Sequence, residues 1–134
     1  MPSVEFIIDG MPVSAQTKND ALKAAYCKKV ARVAQNAMAG SLPYVVPVRL
    51  DVKIFYVGGV KPDNDNVTKL LQDVFEGIIY ANDRQIHDTV LMRRDIDEPF
   101  RMSGVSPLIA FALTGNTPFM YIRVTTEIDR AVIE

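Results

Sequence analysis

The chain has 134 residues, 49% of them hydrophobic and 23% charged, with a formal net charge of −1. That is the length and composition of one globular domain, which excludes a disordered tail and a chain too small to bury a core. A near-zero net charge neither demands nor forbids a nucleic-acid partner, so any basic surface has to be local.

The single cysteine, Cys27, cannot close an internal disulfide and reads as a small buried hydrophobe in a helix. The N-terminus lacks a basic region followed by an apolar stretch, and no apolar run reaches the ~20 residues that span a bilayer. The expectation is a cytoplasmic address with no membrane partner.

In chain order, Val4 to Asp9 alternates as a strand and ends at Asp9-Gly10. A polar loop follows to Lys18. Asn19 or Asp20 can cap a helix running to about Met38, before Gly40. Its apolar face is Leu22, Ala25, Tyr26, Val30, Val33, Ala34 and Ala37, at helical spacing. The other side carries Lys23, Lys28, Lys29 and Arg32, with Lys18 just upstream. Such cations can meet a phosphate backbone or form an ordinary solvated face.

Val48 to Val57 alternates cleanly, with Val48, Leu50, Val52, Ile54 and Tyr56 on one side. Gly58-Gly59 ends this strand. A helix is expected from about Asn64 to Glu76, a turn at 81–83, and a strand from Gln85 to Arg94. Pro107 to Leu113 is an apolar run that periodicity cannot assign. Phe119 to Thr126 alternates as a last strand. The order β-α-β-α-β and then further β predicts an α+β domain, a small mixed sheet with two helices packed on it.

The chemistry concentrates between Lys61 and Gln85. Val67, Leu70, Leu71, Val74 and Phe75 fall at i, i+3, i+4, i+7 and i+8, one apolar stripe, with Gly77 as the stop. That phase turns Thr68, Lys69, Gln72, Asp73 and Glu76 outward. Before the stripe stands Lys61-Pro62-Asp63-Asn64-Asp65-Asn66, and after it Asn82-Asp83-Arg84-Gln85. Helix capping explains one of the acids at 63 and 65, but not both. Two carboxylates so placed repel unless a cation lies between them, and hard divalent cations such as Mg²⁺ prefer such oxygens. Asp83, on the turn after the helix, can return as a third ligand.

An EF-hand fails, because its sixth and twelfth positions would be Thr68 and Val74 rather than glycine and glutamate. Zinc fails for want of soft ligands, with one cysteine and one histidine, His87. Lys69, one turn after Asp65, can stabilise charge on an attacked phosphate, and Asp73 can pair with it. His87 is more readily a strand residue than a general base. Arg84, Arg93 and Arg94 can hold phosphates.

These residues resemble the RusA family of Holliday junction resolvases, small endodeoxyribonucleases common in bacteriophages and prophages. The resemblance rests on Lys61-Pro62-Asp63-Asn64-Asp65-Asn66, Lys69, Asp73 and Asn82-Asp83-Arg84-Gln85, with a weaker echo at 9–16. It implies a homodimer acting on branched DNA, four-way junctions above all. It implies that Asp63, Asp65 and Asp83 bind Mg²⁺, with Mn²⁺ as a possible substitute, and that Lys69 is the catalytic lysine. Asn66, Asp73 and Asn82 would support them, and Lys18, Lys28, Lys29, Arg32, Lys61 and Arg84 would contact DNA. Two positions depart from the family pattern. Asn82 replaces the first acid of its usual pair, and Asn64 replaces an apolar residue. The rival readings are a non-cleaving branched-DNA-binding protein of the same fold and an interaction module whose acids only cap a helix.

Overall fold

The computed structural model describes residues 3–13, 17–58 and 64–126, with the side chains of Asn64 and Asp65 excepted. Lys61 and Asp63 lie outside the described residues.

Four strands form one mixed sheet in the order β1-β4-β2-β3. They are β1 (Ser3–Asp9), β2 (Val48–Tyr56), β3 (Ile86–Asp95) and β4 (Phe119–Thr125). β4 lies antiparallel between β1 and β2, while β3 runs parallel to β2 along the outer edge. A parallel pair needs a crossover, and here α2 (Asn64–Phe75) supplies it. α1 (Asp20–Met38) packs on the same face, against β1 and α2.

The alternation of β2 is realised as expected, with Val48, Leu50, Val52 and Ile54 buried under the two helices beside Phe6, Ile8 and Ile122. Burying each such side chain contributes roughly 1.5–3 kcal/mol, so this face carries most of the fold's stability. Phe6 of β1 meets Phe75 of α2 edge to face, with ring centroids 5.7 Å apart. α1 begins at Asn19, whose side chain accepts from the Leu22 amide at 3.0 Å. It ends at Ala39 in the left-handed region.

The run that periodicity left open, Pro107–Leu113, is a helix, α3. The deciding signal is local. Ser106 caps the first turn by accepting from the Leu108 amide, and Pro107 fits the first helical position, where no N–H is needed. α3 covers the opposite face of the sheet, where Ile109 joins Phe55, Phe119 and Tyr121 in a smaller cluster. Among the described residues the sheet therefore carries three helices, two on one side and one on the other, where two were expected.

Three burial expectations are corrected. Leu22 is 50% exposed and Ala25 is exposed, because the buried stripe of α1 starts one turn later, at Tyr26. Thr68 is buried, not outward, because α1 packs against α2 and extends its covered face to the Thr68–Leu71–Phe75 flank. Cys27 is half-buried against the main core.

Candidate functional site

α2 stops where Gly77 adopts φ +84°, and the chain then doubles back beneath the helix. The amides of Ile78 and Ile79 donate to the Phe75 carbonyl, and that of Gly77 donates to the Tyr80 carbonyl at 2.7 Å. The Tyr80 ring is fully buried, and its hydroxyl donates to the Gln72 carbonyl at 2.7 Å. Burial first, and then the neighbouring carboxylates of Asp83, Glu76 and Asp73, push the Tyr80 phenol above its ordinary range.

Asp83 opens a short 3-10 turn, Asp83–Gln85. The turn is fixed from several sides. Asn82 accepts from the Arg84 amide at 2.9 Å, and the Gln85 side chain returns to accept from the Asn82 amide at 2.8 Å, a capping box. The Glu76 carboxylate accepts from the Asp83 amide at 3.1 Å. The Gln85 amide nitrogen then donates to the carbonyls of Tyr44 and Val46, at 2.8 and 2.9 Å. Backbone bonds Tyr44 to Ile79 and Ala81 to Tyr44 join the same two segments. Asn82, the departure from the family's acid pair, has its oxygen engaged in holding the turn.

Glu76 and Gln85 are the residues to which the sequence reading gave no role, although Gln85 closes the motif that carries the resemblance. Glu76 was legible as the next outward position after Asp73. Nothing local to Gln85 showed that its amide would reach the 44–46 loop.

Lys69 and Asp73 are exposed on α2, one turn apart, as the helical phase required. Asp65 is the second residue of α2. Ten residues separate it from Phe75 at the other end, which is ~15 Å along the axis. Two oxygens on one Mg²⁺ stand at most ~4 Å apart. The structure therefore gathers Asp73, Glu76 and Asp83 at the C-terminal end of α2 and sets the backbone of Asp65 at the other. Among the described residues, no group of three or more His, Cys, Asp or Glu is placed to hold a metal ion. The candidate ligands are all carboxylates, hard oxygen donors that suit Mg²⁺ or Mn²⁺.

Of the proposed DNA contacts, Lys18, Lys28, Arg32 and Arg84 are exposed. The Lys29 ammonium is engaged, donating to the Asp9 carbonyl where β1 turns at Gly10. Arg84 stands beside Asp83, whereas Arg93 and Arg94 lie at the far end of β3, paired with Ile54 and Phe55. His87 is exposed at the irregularity where the β2–β3 register shifts. No described helix is long and apolar enough to cross a membrane.

No curated protein matches the chain. The sequence profile of the family described as Endodeoxyribonuclease RusA matches residues 12–102, which takes in α1, β2, α2, the acidic turn and β3. With that match over two thirds of its length, on a fold that carries the Asp-rich helix and the acidic turn, the chain belongs to the RusA family of Holliday junction resolvases.

Proposed function

We propose that the protein is a Mg²⁺-dependent endodeoxyribonuclease that nicks four-way DNA junctions symmetrically as a homodimer. The family match makes it a nuclease. The observation that carries the finer reading is the turn at Asp83, held by Asn82, Gln85 and Glu76 although it is exposed. A carboxylate that only capped a helix would need no such support. Asp63 and Asp65 from one copy of the homodimer and Asp83 from the other would hold the ion, because α2 separates Asp65 from Asp83 within one chain; the ion when bound polarises the scissile phosphate and lowers the pKa of water. Lys69 projects into solvent from α2 and offers an ammonium to the charge that develops on phosphorus. Lys28, Arg32 and Arg84 supply exposed cations for the phosphate backbone.

The test is a synthetic four-way junction incubated with the protein, with Mg²⁺ and then with a chelator. Paired nicks that need the metal are expected. Binding without nicking, across a broad range of pH and of divalent ions, would instead favour the non-cleaving relative.

A further inference from the structure

Among the described residues, two buried side-chain hydroxyls have no hydrogen-bond partner, Tyr26 on α1 and Thr68 on α2. The Tyr26 phenol at least has the Val13 backbone beside it. Thr68 has no comparable neighbour, although it is only 6% exposed. A helical threonine commonly turns its hydroxyl to the carbonyl four residues back, here that of Asn64, and Thr68 makes no such bond.

Valine would fill the same space without burying a polar atom, and Leu71 and Phe75, on the same flank, are apolar core residues. An unpaired hydroxyl kept in that flank points to a partner beyond the α1–α2 contact itself. Its place narrows the choice. Thr68 follows Asp65 by three residues, the spacing at which helical side chains are neighbours. Around the axis of α2 the backbone of Asp65 falls between those of Thr68 and Lys69, roughly 60° from the first and roughly 40° from the second. Thr68 is covered by α1, and Lys69 is exposed. Position 65 therefore stands on the border between the helix seam and the open face.

We propose that Thr68 is a positioning residue for the metal site, its hydroxyl donating a hydrogen bond to the Asp65 carboxylate when the ion is bound. A carboxylate has two oxygens. With one on the ion the other can accept, and a hydrogen bond there fixes how the ligand is turned. Lys69, on the open side, is left for the phosphate. Because α1 is what buries Thr68, the basic helix is coupled to the metal site through this hydroxyl. The inference rests on the metal-site reading above and adds a buried residue that sets how tightly the site holds its ion.

Titration of the whole protein with Mg²⁺, followed by thermal shift, tests it. Thr68→Val is expected to keep or raise Tm in chelator, because an unpaired polar group leaves the interior, and to weaken Mg²⁺ binding roughly tenfold or more. Thr68→Ser keeps the hydroxyl and loses a methyl, so it should lower Tm yet bind Mg²⁺ nearly as wild type does. Stability and affinity then move in opposite directions, which a purely structural role would not produce. In junction cleavage, Thr68→Val should need roughly tenfold more Mg²⁺ for half-maximal nicking and reach a similar rate at saturation. Thr68→Val chains that bind Mg²⁺ like wild type, or Thr68→Ser chains that bind it as poorly as Thr68→Val, overturn the positioning role. Asp65→Asn separates this from the reading beneath it. If that variant also binds Mg²⁺ like wild type, Asp65 is no ligand, and the metal-site reading falls together with the role of Thr68.

Discussion

Two helices lie side by side on one face of the sheet and turn opposite chemistry to solvent. α1 buries Tyr26, Val30, Ala34 and Met38 and exposes Lys28 and Arg32. α2 buries Val67, Leu70, Leu71 and Phe75 and exposes Lys69, Asp73 and, just beyond its end, Glu76. The way each is supported differs as much as its charge. Cations that meet a phosphate backbone through diffuse attraction tolerate loose side chains. Acids that bind an ion must be held in place, and the turn after α2 has a capping box, a carboxylate on its first amide and a glutamine bridging to the 44–46 loop. On the function proposed above, the acidic helix would be the reacting element and the basic one an attracting element.

That contrast can be broken most sharply at the acids. Asp83→Asn is expected to lower junction nicking more than about 100-fold while leaving junction affinity in gel-shift within a few-fold, because on the proposed function it removes a charged oxygen that would bind the ion. Next is Lys69→Met, which should lower kcat by roughly 10²-fold with KM little changed, if its ammonium acts on charge present only in the transition state. An equal rise in KM at constant kcat would make Lys69 a simple phosphate contact and move it to the attracting class.

Gln85→Leu probes the support rather than the chemistry. It leaves the carbonyl of Val46 and the amide of Asn82 without these partners, in a half-exposed position that water partly reaches. A loss of about 1–2 kcal/mol is expected, seen as a Tm lower by several degrees. Nicking should fall further than the folded fraction does. A Tm change with unchanged specific activity would show that the turn holds Asp83 without this amide.

The smallest effect is expected on α1. Replacing Lys28 and Arg32 together with alanine should weaken junction binding at low salt and flatten the plot of log K against log salt by about 2 units, roughly 0.9 per lost phosphate contact. An unchanged slope would make these cations an ordinary solvated face. Lys29 is left out of the pair because its ammonium holds the Asp9 carbonyl, and its loss would disturb the β1 turn instead.

Much of the fold is local in origin and was readable for that reason. The period-two pattern of β2, the stripe on α2 and the Asn19 cap are each written within a few neighbouring residues. α3 was undecided because seven apolar residues satisfy either period, and the Ser106-Pro107 start settles it only once the chain is seen to turn there. Thr68 was misplaced because the burial of a flanking position depends on a second helix, which no pattern within α2 reveals.

For the site, the sequence by itself determined the donor chemistry. Carboxylates and amides are hard oxygen donors and a lysine is a cation whatever the fold does with them, because ligand preference belongs to the side chain. Only the tertiary structure decided where they stand relative to one another. Hydrogen bonds over 41 residues, from Gln85 to Tyr44, and the parallel pairing of β2 with β3 fix Asp83 at one end of α2, and the helical rise puts Asp65 at the other. Distance across a fold is a property of packing and register, and spacing along the chain does not contain it.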